Sequence, residues 1–123
     1  MPYAGLTVPK GYTELGWHFL PDDRRTRFSR EPVRRGTVLT ESRPLRLCLV
    51  GLHYSTRAID ALQHAHGPVV CIVAAGGEIL RCVDKCCAAR RKCLAIADAT
   101  ETLHRFAVWC ARQALHAERK AGL

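Results

Sequence analysis

The chain has 123 residues, 48% of them hydrophobic and 24% charged, which suits one globular domain large enough to bury a core without staples. Nineteen Lys and Arg against eleven Asp and Glu give a net charge of +8, a balance that favours anionic or acidic partners over basic ones. No apolar run approaches the roughly 18 residues of a membrane-spanning helix, so no membrane role is expected.

The chain predicts an α+β fold. The expected architecture is a single domain with a mostly antiparallel sheet of about five or six short strands, one short helix and one long C-terminal helix. Residues 1–14 carry Gly and Pro without a clear period and read as an N-terminal arm. Leu15–Leu20 is rich in strand formers and reads as a short strand. Residues 21–35 are polar, bounded by prolines, and carry Arg24, Arg25, Arg27, Arg30, Arg34 and Arg35; they read as a basic loop.

Gly36–Thr40 and Leu45–Val50 are two β-type runs separated by four residues, which predicts a hairpin. Ser55 stands where an N-cap belongs, and Thr56–Ala65 places Ala58, Ile59, Leu62 and Ala65 on one helical face. Val69–Ala75 is a continuous apolar run and predicts a central strand buried on both faces. Gly76-Gly77 reads as a turn, with Glu78–Val83 returning as a hairpin partner and Arg91–Ala97 as a further strand. Asp98 followed by Glu101 predicts a capping box for a helix over 98–119. Leu103, Phe106, Ala107, Cys110, Ala114 and Ala117 form its apolar stripe, with Trp109 as an anchor at the edge.

Seven cysteines are many for this length, and the odd number leaves at least one unpaired within a monomer. The first residues show no basic region followed by an apolar stretch, so no secretory signal is read and the thiols are expected reduced. The expected compartment is the cytoplasm. Cys82, Cys86, Cys87 and Cys93 supply four thiols in twelve residues and are the candidate zinc ligands. They lack paired CxxC knuckles, and adjacent cysteines rarely face one ion, so a cysteine-rich turn is the plainer reading.

Two basic clusters are candidate binding surfaces for nucleic acid or an acidic protein. One is the 21–35 loop, with Phe28 as a ring able to stack on a base. The other is Arg90, Arg91 and Lys92. Arginine predominates over lysine, and its planar fork suits phosphate and carboxylate. Neither cluster carries a helix-turn-helix, zinc-finger or RNP signature, so phosphate contacts with little base readout are expected. No catalytic triad can be read from spacing.

Gly51–Ser55, Arg57–Leu62, Gly67–Cys71, Gly77-Glu78-Ile79 and Asp84-Lys85 together resemble a family of small phage and bacterial proteins with the pattern GLHxS, AxDAL, PxVxxV, GEI and DK. With Gly16-Trp17-His18-Phe19, the likeness covers Leu15 to Phe106. It implies a mobile-element setting. The implied partner is a host nucleic acid, ribonucleoprotein or acidic protein, and the implied role is inhibition of a host defence complex of the anti-CRISPR type.

A fainter likeness is to ADP-ribosyltransferase folds. It implies NAD as cofactor, His18 holding the ribose, Tyr54 or His53 stacking on nicotinamide, and Glu78 or Glu101 as the acid. The expectation from the whole sequence is a non-enzymatic binding protein without a required cofactor. The ADP-ribosyltransferase-like enzyme and a zinc-stabilised interaction module are the alternatives, and a dimer is open.

Overall fold

A computed structural model describes Tyr3 and residues 5–122, so part of the 1–14 arm lies outside the described residues. The protein is α+β, with five antiparallel strands and two helices. In chain order these are β1 (Glu14–Leu20), β2 (Val38–Thr40), β3 (Leu52–Tyr54), α1 (Ala58–Gln63), β4 (Val69–Arg81), β5 (Cys86–Asp98) and α2 (Thr100–Lys120).

The sheet runs β1-β4-β5-β2, and β3 also pairs with β5. β3 takes Cys86–Ala88 and β2 takes Arg90–Lys92, so the two short strands lie end to end along one edge of β5. Ser55 then bridges to Trp17, with N–H donors in both directions at 2.7 and 2.9 Å. That bridge carries the end of β3 back to β1 and curls the sheet towards closure. Inside the curl lie Leu20, Leu39, Tyr54, Val69, Val73 and Ala88, all buried. Full burial of side chains this size stabilises by about 1.5–3 kcal/mol each.

The apolar run at the start of β4 occupies the centre, between β1 and β5, and Cys71–Gly76 is buried throughout. Gly76-Gly77 does not reverse the chain. β4 continues through it to Arg81, and a register shift between Gly76 and Ile79 marks a β-bulge. Gly77 sits at φ +72°, a conformation open to glycine at little cost, so the pair supplies the bulge rather than the turn. The reversal comes at Cys82–Lys85, where the Cys82 N–H donates to the Lys85 carbonyl at 2.8 Å. The strands are therefore longer than expected, and β5 begins at Cys86 rather than at Arg91.

Three local expectations are corrected. Leu45–Val50 is not a strand but a tight loop: Arg46 and Val50 exchange backbone hydrogen bonds at 2.8 and 2.7 Å around Cys48, whose φ is +69°. The alternating leucines suggested a pleat, but Leu45 alone of the three is buried. Ser55 does not cap a helix. It is a buried bridge residue whose Oγ donates to the Asp84 carbonyl at 2.7 Å, and α1 starts three residues later. Asp98 does receive the Thr100 N–H at 2.8 Å, but Glu101 reaches Arg105 at 2.6 Å instead of closing a box.

The long helix departs most from expectation. No residue of α2 is buried, and of its apolar stripe only Leu103 is half-buried. Trp109, expected as an anchor, is 57% exposed.

Candidate binding cavity

A cavity of about 640 Å³ opens between the end of β1, the basic loop, the C-terminal end of α1 and the β3 edge. Its position follows from the curl of the sheet. Trp17–Leu20 forms one wall and Gly51–Ser55 another, while Arg27 of the loop and His66 after α1 meet across the opening at 2.8 Å. Phe28 stands at the rim, 82% exposed, with the Arg27 guanidinium 5.0 Å from its ring centroid.

Arg91 reaches this cavity from the interior. It is only 5% exposed, and its Nη1 donates to the His53 carbonyl at 2.6 Å. Among the described residues it makes no ion pair with a carboxylate. Burial lowers its pKa to about 10, partly offset by Cys71 and Cys93, so the group remains cationic at neutral pH. A buried cation without a carboxylate is costly unless hydrogen bonds or an anion compensate it. The site therefore carries an unspent preference for negative charge.

The cavity histidines are shifted in the same direction, which leaves them neutral. His18 has its pKa lowered well below the usual value, first by burial and then by the positive field of Arg91, His53 and His66. His53 is lowered by burial and by Lys85, and its Nε2 accepts from the Cys48 N–H at 2.9 Å. A neutral imidazole such as His18 beside a charged guanidinium offers an N–H donor without like-charge repulsion.

Tyr54 also lines the cavity, but its hydroxyl is committed. It donates to Glu14 Oε2 at 2.7 Å, and Arg81 holds the same carboxylate at 2.8 and 2.9 Å. Burial first, then the hydrogen bond to Glu14 and the Glu14 charge, raise the phenol pKa far above its usual value. Arg81 keeps the Glu14 carboxyl below the ordinary carboxylate range. His18 and Tyr54 thus share the cavity. Glu78 lies on the β4 bulge and Glu101 on α2, and neither lines it. The carboxylates that do line it are Glu31 and Glu41.

The basic clusters divide. Arg90 and Lys92 share one face of β5 and Arg91 the other, because side chains alternate along a strand. Arg90 lies over the Tyr12 ring at 5.0 Å and donates to the Gly11 carbonyl, outside the cavity. Within the loop, Arg25 donates to the Arg30 carbonyl at 2.9 Å, and Arg30 pairs with Asp23. Arg24, Arg34 and Arg35 are exposed, and Arg27 is the loop arginine that lines the cavity.

The four candidate zinc ligands are not assembled. Cys82 is exposed in the β4–β5 turn while Cys86, Cys87 and Cys93 are buried along β5. Among the described residues no three His, Cys, Asp or Glu side chains are grouped to hold a metal. Cys93 instead donates to the Ala95 carbonyl at 3.5 Å, and its coupling to Cys71 of β4 lowers the Cys93 pKa and raises that of Cys71.

Sequence reasoning missed the isolation of Arg91, the Glu14–Tyr54–Arg81 network and the gathering of His53, His64 and His66 around one cavity. Strand alternation through Arg90-Arg91-Lys92 was the signal available for the first. No helix of the described chain is long and apolar enough to cross a membrane. No protein-family model, no curated protein and no solved structure matches the chain.

Proposed function

We propose that the protein is a binding module for a phosphate-bearing ligand, with single-stranded nucleic acid as the class that fits best. The observation that carries this reading is Arg91: a buried guanidinium at the floor of an open cavity, without a carboxylate partner among the described residues. A phosphate or terminal phosphate on Arg91 would be met by guanidinium donors, with His18 as a neutral donor beside it. Arg27 and the exposed Phe28 ring stand at the rim, where a base can stack next to a positive charge. The remaining loop arginines extend the field outward.

This reading keeps the setting that the phage-family resemblance implies. A host nucleic-acid-handling or defence complex would be met through its nucleic-acid strand or through acidic groups that imitate one. NAD is the second ligand to test, because His18 and Tyr54 line the same cavity and a dinucleotide also presents phosphates.

Fluorescence anisotropy with short labelled single-stranded oligonucleotides tests the reading. Binding should weaken steeply as salt rises, as counterion release requires. It should also weaken at least about tenfold in Arg27→Glu/Phe28→Ala, a loss of roughly 1.4 kcal/mol. Absence of salt-sensitive binding to oligonucleotides and to NAD alike would remove the proposal.

A further inference from the structure

The apolar stripe of α2 is exposed apart from the half-buried Leu103, and its pattern has a symmetry. Leu103, Phe106, Cys110, Ala114 and Ala117 are spaced three, four, four and three residues apart. At about 100° per residue all five lie within roughly 40° of the Cys110 direction. The stripe therefore reads the same outward from Cys110 in both directions, except in size. The N-terminal half carries Leu103 and Phe106, with Trp109 stacked beside Phe106 at 6.3 Å and 14° between ring planes. The C-terminal half carries Ala114 and Ala117.

We infer that α2 pairs with α2 of a second copy of this chain, antiparallel, with the two-fold axis passing at Cys110. In that arrangement Leu103 of each copy meets Ala117 of the other, and Phe106 meets Ala114. Each layer flanking the central Cys110 pair then sets a large side chain against a small one, which is how facing helices interdigitate without voids or overlap. A parallel pair would stack Phe106 on itself and leave alanine against alanine.

Charge favours the same choice. The stripe contains no ionic side chain, and Glu101, Arg105, Arg112 and Arg119 project from the opposite face. The C-terminal half is net basic, with Arg112, Arg119 and Lys120 against Glu118. Antiparallel pairing holds the two basic ends apart by the helix length of about 30 Å and opposes the helix dipoles. A lipid surface is a poorer occupant. The centre of the face is Ala107, Cys110, Ala114 and Ala117, which offer little apolar area to acyl chains but allow two backbones to approach. Phe106 is 40% exposed despite the Trp109 ring beside it, and a partner helix would cover the remainder. The inference stands apart from the cavity and its ligand.

The test is sedimentation equilibrium of the full chain from about 1 to 500 µM under reducing conditions, the range appropriate to an interface below standard size. A monomer–dimer equilibrium is expected. Phe106→Ala and Ala114→Phe should each weaken it by about tenfold or more. The double variant Phe106→Ala/Ala114→Phe should recover most of the loss, because it reverses the sizes in each antiparallel layer. Circular dichroism should show α2 and the sheet intact in all three, since the helix contributes nothing to the core. A monomer across the whole range would overturn the inference, as would failure of the double variant to recover. Binding of a monomeric protein to phosphatidylserine-containing vesicles, lost in Phe106→Ala, would also overturn it and give the face to lipid.

Discussion

The guanidinium of Arg91 donates to the backbone carbonyl of His53 at 2.6 Å, tying the middle of β5 to β3 beneath the cavity. The bond fixes the fork of a buried cation that has no carboxylate partner among the described residues. It also makes Arg91 part of the scaffold and part of the candidate site at once. Arg91→Met keeps the length and apolar body while removing the charge. Such replacements of buried charges are often close to neutral, but the orphaned carbonyl costs about 1–3 kcal/mol. Urea unfolding should therefore show a loss no larger than that, with the folded state retained.

Gly16 faces Tyr54 so closely that a Cβ there would lie 2.4 Å from the Tyr54 ring and 3.0 Å from the Ser55 carbonyl oxygen. Neither can move freely, since Tyr54 is buried and hydrogen-bonded to Glu14 and Ser55 is bridged to Trp17. Gly16→Ala should destabilise by about 1–3 kcal/mol, as overpacking does. Tyr54→Phe should cost about 1.5–3 kcal/mol by removing a hydrogen bond to the charged Glu14 carboxylate. Thermal denaturation should show both variants folded and destabilised.

The cavity histidines give a signed pH dependence. His18 and His53 are held neutral in the folded state, their pKa values lowered chiefly by burial. The unfolded chain binds protons at these residues where the folded chain does not, so stability is full above about pH 6.5 and is lost as pH falls below it. Glu14, lowered by Arg81, adds a second loss that begins below about pH 4.5. Urea midpoints across pH 8 to 5 should fall in wild type and fall less in His18→Phe. A flat wild-type profile in that window would contradict the lowered His18 and His53 pKa values.

Thiol reactivity reports the burial of the cysteines. Cys48, Cys82 and Cys110 are exposed, while Cys71, Cys86, Cys87 and Cys93 are buried. Three thiols should react quickly with a maleimide in the native protein and seven after denaturation. Mass spectrometry of the modified peptides identifies which. Fast native labelling of Cys93, the more acidic member of its pair with Cys71, would mean that β5 opens far more readily than its central position allows.

The sequence was most legible where one physical signal acted alone. The apolar run Val69–Ala75 had to be covered on both faces, and it is the central strand. The helix after Asp98 was evident from its period, although the expected capping box with Glu101 does not form. Reading failed where two signals competed. Gly76-Gly77 serves a bulge as readily as a turn, and only the partner strand decides between them. Leu45–Val50 alternates like a strand, yet its left-handed Cys48 folds it back. At the site, the Arg90-Arg91-Lys92 cluster looked like one surface patch. Pairing with β4 and β2 divides it, sending Arg91 inward and leaving Arg90 against Tyr12. The cavity joins residues far apart in sequence, such as Arg27 and His66, and no local pattern announces that contact.

The most direct test of the central claim is calorimetric titration of a 5′-phosphorylated single-stranded oligonucleotide into wild type, Arg91→Lys and Arg91→Met, each confirmed folded. If Arg91 is the phosphate anchor, Arg91→Met should lose at least about tenfold in affinity and Arg91→Lys a part of that, because a lysine keeps the charge but not the fork. Equal affinity for all three proteins would contradict the account.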